Sequence, residues 1–386
     1  MKKKYIFGVL LLTIIGLTVL ISKTLTLRPS PTPPTIDFLK LPPGFHAQLF
    51  AEGLGDSLIS TPGPASGPRM MEIKNDTVFV SVPREGKVYA LEDNDRDGIA
   101  ETKKIFLGGL SSPHGIAIDD NFFYIAEEAR VIRVKDTNDD GIAENETLEN
   151  ILSLPSPGGH YTRTIRIVND KLFVSVGSSC NVCHETDSAR AAIQRCDLDG
   201  KNCSVYAKGL RNAVGMTEYK GKIYATDNGR DWLGDNLPPD ELNILTDGSN
   251  YGWPTCFGKN VHDTDFDKNT YIRNPCMEPF ERESFVDLGS HVAPLGLTAY
   301  TGTAFPTEYK DKLFIALHGS WNATAPVGYK IVTVDPNTKE MKDFATGFLG
   351  NGVVNGRPVD IINFHEGLLV SDDNQGRIYR IYYDGK

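Results

Sequence analysis

The stretch from Leu210 to Pro254 concentrates residues able to do chemistry. It reads Leu-Arg-Asn-Ala-Val-Gly-Met from Leu210, Thr-Asp-Asn-Gly-Arg-Asp from Thr226, Pro-Asp-Glu-Leu-Asn from Pro239 and Asn-Tyr-Gly-Trp-Pro from Asn250. Arg211, and further along the chain Arg357, offer guanidinium forks suited to carboxylates, and the Asn212 amide can bond a carbonyl or carboxylate oxygen. Asp227, Asp231, Asp235, Asp240 and Glu241 crowd the same stretch. Hard oxygen donors at that density point to a bound cation, Ca²⁺ first among them, rather than to a solvated acidic loop. Upstream, His160 follows Gly158-Gly159, a pair that permits a tight turn and close approach of a ligand. Its imidazole titrates near neutrality and suits a general base, but the motif alone equally describes an exposed loop histidine.

Three further motifs carry chemistry. Asp93-Asn-Asp-Arg-Asp-Gly-Ile-Ala-Glu and Asp136-Thr-Asn-Asp-Asp-Gly-Ile-Ala-Glu place oxygen ligands at the first, third and fifth positions, followed by Gly, as a calcium loop does. Neither has the acidic residue at position twelve or flanking helices. Each reads as a structural calcium loop in a β-hairpin or as an Asp/Gly-rich turn. Cys180-Asn-Val-Cys-His184 fits the pattern for covalent haem attachment, but the polar residues around it offer no apolar pocket, so a local disulfide is expected. The other cysteines also fall in near pairs, Cys196 with Cys203 and Cys256 with Cys276. Sequence leaves the connectivity open; local pairing is the simplest, and an oxidising compartment lets it form.

The elements that must position these residues are strands. A β-rich run, a polar break and a second run recur, beginning at Thr77, Phe122, Lys171, Lys222, Lys312 and Leu368. Most steps are about 45 to 55 residues, the scale of a four-stranded propeller blade. The long step between the fourth and fifth copies contains an insertion, Trp253–Leu288. No long segment has a helical apolar period. The expectation is an all-β, six-bladed β-propeller with four-stranded antiparallel blades, its ligand at the mouth of the central channel where loops converge. Trp253 and Trp321 are expected in packing, with Trp321 able to line the channel.

The formal net charge of −10 and the lack of a basic cluster beyond Lys2–Lys4 exclude a nucleic-acid partner. Those lysines open an uncharged apolar run to about Ile21, an export signal at the lower edge of membrane-spanning length. With no small-residue cleavage site after it, an uncleaved anchor is favoured over a cleaved signal. The expected organisation is a signal or anchor over 1–22, a proline-rich spacer over 23–36 and the propeller over 37–386. The domain would be exported and either membrane-anchored or secreted, touching the membrane only through its N-terminal segment.

The ordered set Arg211-Asn212, Asn228-Gly-Arg-Asp231, Asp240-Glu-Leu-Asn243 and Tyr251-Gly-Trp-Pro254 resembles the glucose/sorbosone dehydrogenases. So do Gly158-Gly-His-Tyr161, His291-Val-Ala-Pro-Leu-Gly296, His318-Gly-Ser-Trp-Asn322 and Gly356-Arg-Pro-Val-Asp360, and the likeness covers about residues 37–386. That family consists of six-bladed propellers using pyrroloquinoline quinone (PQQ) and Ca²⁺. The resemblance implies a dehydrogenase for an aldose or related small sugar, with an external electron acceptor. His160 would be the catalytic base and Arg211 would polarise the reacting quinone carbonyl. Arg211, Asn212, His318 and Arg357 would bind the cofactor. The carbonyls of Gly229 and Arg230 would face the cofactor's Ca²⁺, and Glu241 with the Tyr251 carbonyl would hold a second, structural Ca²⁺. One departure stands out: relatives commonly place a carboxylate after the glycine at Gly177, where this chain has Ser178. That leaves two other readings, a non-catalytic propeller binding carbohydrate or protein, and a calcium-dependent lactonase.

Overall fold

A computed structural model of the chain describes residues 36–55, 66–279 and 281–386. The signal or anchor expected over 1–22, and the spacer up to residue 35, lie outside the described residues. Among the described residues no helix is long and apolar enough to cross a membrane, and the helical turns are two short 3-10 turns, Pro83–Glu85 and Thr307–Tyr309.

Six antiparallel sheets form the fold. The first blade runs from its inner strand Met71–Lys74 through Thr77–Val82 and Lys87–Glu92 to Thr102–Leu107. The second comprises Ile116–Asp119, Phe122–Glu127, Arg130–Lys135 and Glu144–Ser153. The third comprises Ile165–Val168, Lys171–Val176, Ala192–Asp197 and Ser204–Lys208, with Ser249–Asn250 added in parallel at its edge. The fourth comprises Ala213–Tyr219, Lys222–Asp227, Asp240–Leu245 and Val286–Gly289. The fifth comprises Pro294–Ala299, Leu313–Leu317, Lys330–Val334 and Met341–Ala345. In the sixth, Pro358–Phe364, Gly367–Asp372 and Arg377–Tyr383 are completed by Phe45–Glu52 from the opposite end of the domain.

Packing explains the sequence pattern. In Thr77–Val82 and Leu313–Leu317 nearly every side chain is buried, on both faces of the sheet, because neighbouring blades cover both. The period-two alternation of a half-exposed strand therefore collapses into a continuous apolar run. The buried clusters lie between consecutive blades. Phe79, Phe106 and Phe123 join the first to the second, and Leu242, Leu297 and Val332 the fourth to the fifth. Phe50, Val78 and Leu369 join the sixth to the first, so the ring is closed. Hydroxyls on the second strands stitch blade to blade near the axis: Ser81 donates to His114 O at 2.7 Å, Thr226 to Leu295 O at 2.7 Å and Ser371 to Arg69 O at 2.7 Å.

The insertion expected over Trp253–Leu288 is shorter than the sequence suggests. Its last residues belong to the outer strand Val286–Gly289 of the fourth blade. The rest is a small subdomain, with a two-stranded ladder of Cys256–Phe257 and Val261–His262 and the Cys256–Cys276 disulfide. The other disulfides are Cys180–Cys183 and Cys196–Cys203, so all three local pairings form.

The closing strand is held by its register, from Phe45 opposite Tyr383 to Glu52 opposite Arg377, and by aromatic packing. The Phe45 ring meets those of Phe305, Tyr309, Phe344 and Tyr383 at centroid distances of 4.7 to 5.1 Å. Phe45→Ala is expected to cost about 3–5 kcal/mol, seen as a lower urea midpoint. The change Tyr382→Ala, at a half-buried ring that meets His46 and Arg380, is expected to cost less than a third of that.

Candidate active site

In each blade, antiparallel pairing lays the residues before the inner strand beside those after the second strand. His160–Arg163, Arg211–Asn212 and Arg357 precede the inner strands of the third, fourth and sixth blades. Ser178, Asn228–Arg230 and His318 follow the second strands of the third, fourth and fifth. These residues therefore collect at one end of the propeller, around the channel mouth.

The two arginines singled out in the sequence occupy equivalent positions. Asp227, ending the second strand of the fourth blade, accepts Arg211 N at 3.0 Å and Asn212 N at 2.7 Å. Asp372, at the same place in the sixth blade, accepts Arg357 N at 2.9 Å. The carboxylates fix the backbone so that each guanidinium turns into the mouth.

Arg211 is buried and closely held. Its Nε donates to Asn181 O at 2.9 Å, Nη1 to Asn228 O at 3.3 Å, and Nη2 to Asn181 Oδ1 at 2.9 Å and Asp231 Oδ2 at 3.0 Å. Asn181 lies between Cys180 and Cys183, whose disulfide closes the loop over the guanidinium. Its amide also donates to Asp231 O at 3.1 Å, and its carbonyl accepts from Trp253 Nε1 at 3.3 Å. Asn322 reaches across from the fifth blade to Asp231 Oδ1 at 2.7 Å. Arg357 donates from Nη2 to Ser320 O at 3.1 Å and Tyr329 Oη at 2.7 Å, and its Nη1 lies 3.3 Å from His318 Nδ1. The segment Ser320–Asn322 thus ties the two arginine clusters together.

His318 hydrogen-bonds Asp373 Oδ1 at 2.9 Å, and Asp373 Oδ2 accepts from buried Arg69 at 2.6 Å. Burial favours the protonated acid, but His318 and Arg69 override it and hold the Asp373 carboxyl well below the usual range. His318 is itself lowered, chiefly by burial.

His160 is oriented without a carboxylate. Its Nδ1 lies 3.1 Å from the carbonyl of Ser178 and 3.1 Å from its hydroxyl, and that hydroxyl donates to Cys180 O at 2.7 Å. A carbonyl only accepts, so the proton sits on Nδ1 and Nε2 keeps its lone pair. Gly177 makes the arrangement possible: a Cβ there would fall 2.7 Å from both Asn212 Oδ1 and His160 Cβ. Burial first, and the Arg211 charge second, push the imidazole pKa down from 6.5 to about 3. Arg163, wholly buried beneath it, donates to His160 O at 2.6 Å, Thr162 O at 2.9 Å and Pro155 O at 2.9 Å, fixing the segment that carries the ring.

The metal candidates meet at one small cavity of about 20 Å³, room for an ion or a water and far too small for an organic cofactor. Gly229, Arg230, Glu241 and Tyr251 line it, with Arg211, Asp227 and Asp263. Gly229 and Arg230, expected at the cofactor's ion, and Glu241 and Tyr251, expected at a second ion, share this lining. Glu241 accepts Gly258 N at 2.6 Å and Asn243 Nδ2 at 2.9 Å, and burial, with Asp287 and Asp240 nearby, raises its pKa to about 7. Asp240 is raised to about 6 by burial, and Asp227 well above the carboxylate range by burial and Glu241. Asp263 Oδ2 is buried with no hydrogen-bond donor: Arg230 Nε stands 3.3 Å away, outside hydrogen-bonding geometry. Buried carboxylates in excess, one with an orphaned oxygen, fit a hard cation.

Sequence reasoning missed Asn181, Asp263 and the part played by Ser178. The C-x-x-C spacing was the available signal for Asn181, since a disulfide across it must present the intervening residues on a fixed loop. The aromatic expectation also changes. Trp321 is 68 % exposed and meets Trp232, 69 % exposed, edge to face at 5.5 Å, so this pair stands on the rim rather than in packing.

The TrAA12-like family model matches residues 40–347. An uncharacterized protein of Borreliella burgdorferi is 43 % identical over 237 residues, 58 % of this chain and 61 % of that protein. A pyrroloquinoline quinone-dependent pyranose dehydrogenase of Coprinopsis cinerea is 29 % identical over 221 residues, 45 % of this chain and 30 % of that protein. The chain thus spans less than two thirds of the length of these curated relatives. Among solved structures, the calcium structure of Trichoderma reesei Carbohydrate-Active Enzymes Family AA12 superposes with a TM-score of 0.76 at 20 % identity, covering 92 % of this chain and 98 % of that one. The holo form of the pyranose dehydrogenase PQQ domain from Coprinopsis cinerea gives 0.73 at 21 %, covering 92 % and 99 %. These superpositions show the six-bladed fold.

The His160 environment yields a pH expectation. Its folded pKa lies below the unfolded value of 6.5, so its contribution to stability is present above pH 6.5 and is lost as pH falls from there toward about 3. A ¹⁵N NMR titration is expected to show the ring neutral, with the proton on Nδ1, at pH 5. An imidazolium signal at that pH would refute the environment described.

Proposed function

This chain belongs to the TrAA12-like family, and on that premise we propose that it is a PQQ- and Ca²⁺-dependent dehydrogenase oxidising a hydroxyl of an aldose or related sugar. The observation that carries the reading is the pairing at the mouth of a tautomer-fixed imidazole with guanidinium groups. PQQ, when bound, would supply an ortho-quinone as the two-electron acceptor for the sugar's hydride.

The donor set fits such a group. Of the five N–H donors of a guanidinium, Arg211 commits four to described residues and Arg357 three. Both keep donors for the oxygens of an anionic ligand, and their fixed backbones pre-organise them. Arg211, Asn212 and Arg357 would hold the cofactor, with His318 bracing Arg357. Glu241, Asp227 and the backbone at Gly229, Arg230 and Tyr251 would hold Ca²⁺, the ion adding to the partial compensation that Arg211 and Arg230 give these buried carboxylates.

His160 Nε2 takes the proton of the reacting hydroxyl. Its Nδ1–H, held by the Ser178 carbonyl, points the lone pair outward and spreads the positive charge that develops on the ring. Ser178 thereby replaces the orienting carboxylate of relatives with a neutral acceptor. A carbonyl stabilises imidazolium less than a carboxylate does; burial first and the Arg211 charge second lower the imidazole pKa, so the resting ring is neutral and free to accept a proton. Trp232 and Trp321 offer apolar ring surface to the C–H face of a pyranose at the rim. Three disulfides suit an oxidising compartment, consistent with an exported propeller over 37–386 behind a signal or anchor over 1–22 and a spacer over 23–36.

The test is reconstitution with PQQ and Ca²⁺, dye reduction over a panel of aldoses, and PQQ affinity. His160→Ala is expected to lower kcat by about 10²–10⁴-fold with PQQ affinity unchanged. The double substitution Cys180→Ser/Cys183→Ser is expected to weaken PQQ binding, because Asn181 loses its fixed loop and Arg211 its clamp. Absence of PQQ binding, or hydrolysis of a lactone needing only Ca²⁺, would overturn the proposal.

A further inference from the structure

The loops Asp93–Glu101 and Asp136–Glu144 occupy equivalent hairpins, each joining the third strand of its blade to the outer one. Their leading aspartates differ. Both oxygens of Asp136 are used by its own loop, Oδ1 by Asp140 N at 3.2 Å and Oδ2 by Gly141 N at 3.1 Å. Asp93 Oδ2 accepts Gly98 N at 2.9 Å, but Oδ1 has no hydrogen-bond donor, although the residue is only 6 % exposed. Carboxylate oxygens of Asp93, Asp95, Asp97 and Glu101 come within 4.8 Å of one another.

A buried carboxylate oxygen without a donor, facing three further carboxylates, calls for a counter-charge. None of the described cations nearby hydrogen-bonds Asp93 Oδ1. Arg96 is paired with Asp76 at 2.6 Å and Lys104 with Glu92 at 2.7 Å. Arg380 senses Asp93 and Asp97, but its Nε is itself buried without a hydrogen-bond partner, and Asp93 Oδ1 receives no donor from it.

We propose that Asp93, Asp95, Asp97 and Glu101 form a Ca²⁺ site, separate from the cavity at Glu241. The donors are hard oxygens at the loop spacing that calcium takes, and exposed Asp95 and Glu101 leave a path from solvent. The site also has a mechanical position. Gln48, on the closing strand, donates from Nε2 to Asp97 O at 2.9 Å and Gly98 O at 2.8 Å, and Ala100 N donates to Phe50 O at 2.8 Å. Gly98 packs so closely that a Cβ would lie 2.2 Å from Gln48 Nε2 and 2.4 Å from Arg380 Nη1. Gln48 and Arg380 are partners in the strand pair that closes the ring. The ion therefore fixes the first blade's hairpin against both closing strands.

The experiment counts Ca²⁺ bound by the full chain at about 1 mM free ion, the weak end of structural sites, and measures thermal midpoints with Ca²⁺ and with chelator. Wild type is compared with Asp95→Asn/Asp97→Asn and with Glu241→Gln. The double variant is expected to bind one Ca²⁺ fewer and to lose part of the Ca²⁺-induced rise in Tm. In chelator it should melt no lower than wild type, because the substitutions relieve repulsion. Glu241→Gln should keep the difference. Equal Ca²⁺ counts for wild type and the double variant, or a Ca²⁺-induced rise that only Glu241→Gln diminishes, would overturn the site. So would a double variant that melts lower in chelator with its Ca²⁺ response intact, since the carboxylates would then serve only the turn.

Discussion

The pairing of Phe45–Glu52 with Arg377–Tyr383 is the contact on which the rest of the molecule depends. Each blade has two apolar faces and cannot bury either alone; each needs a neighbour on both sides. In a closed ring every blade has two. An open ring would expose the faces of the first and sixth blades, including Phe50, Val78 and Leu369. The channel mouth is assembled from loops of the third to sixth blades, so its geometry is set by angles between blades that the closure fixes. The hydroxyls of Ser81, Thr226 and Ser371 reinforce this close to the axis, each binding a carbonyl in the next blade.

Electrostatics at the mouth follow from the same repetition. Asp227 and Asp372 hold the amides of Arg211 and Arg357 at equivalent points of two blades. Buried Arg163 caps three carbonyls under the His160 segment. Burial lowers its pKa to about 10, still far above neutrality, so it adds positive charge to the mouth. A few ångströms away the sign reverses, with Asp227, Asp240, Glu241 and Asp263 set into the fourth blade and its insertion. The small cavity thus sets Asp227, Glu241 and Asp263 against Arg211 and Arg230.

The fold was legible because second strands, buried on both faces, write themselves as apolar runs such as Thr77–Val82 and Lys171–Val176. The inner strands of the first three blades were not: Met71–Lys74, Ile116–Asp119 and Ile165–Val168 are four residues each, too short for a period. The outer strand Val286–Gly289 was absorbed into the insertion for the same reason. The closing strand was missed because its partner lies at the far end of the sequence, and pairing over such distances leaves no local signal. At the site, Arg211, Arg357 and His160 were legible by type and motif. Asn181 and Asp263 were not, and Ser178 was legible only as a departure from relatives, because an asparagine, an aspartate and a serine acquire meaning only from what they touch. Asn181 matters through the loop around it, Asp263 through an orphaned oxygen, and Ser178 as much through its carbonyl as through its hydroxyl.

The closing register also dictates an order of events during synthesis. Phe45–Glu52 leaves the ribosome first among the propeller strands, yet its partner Arg377–Tyr383 is made last. Throughout elongation the early strand keeps an unsatisfied edge, and the first blade keeps one apolar face open to solvent or to whatever accompanies the growing chain. Blades one to five can stack as they appear, but the circle shuts only when the final strand is released. A nascent chain arrested anywhere short of Arg377 is therefore a stack with two adhesive ends rather than a smaller version of the finished protein, which makes its last seven strand residues the ones that turn a sticky assembly into a quiet one.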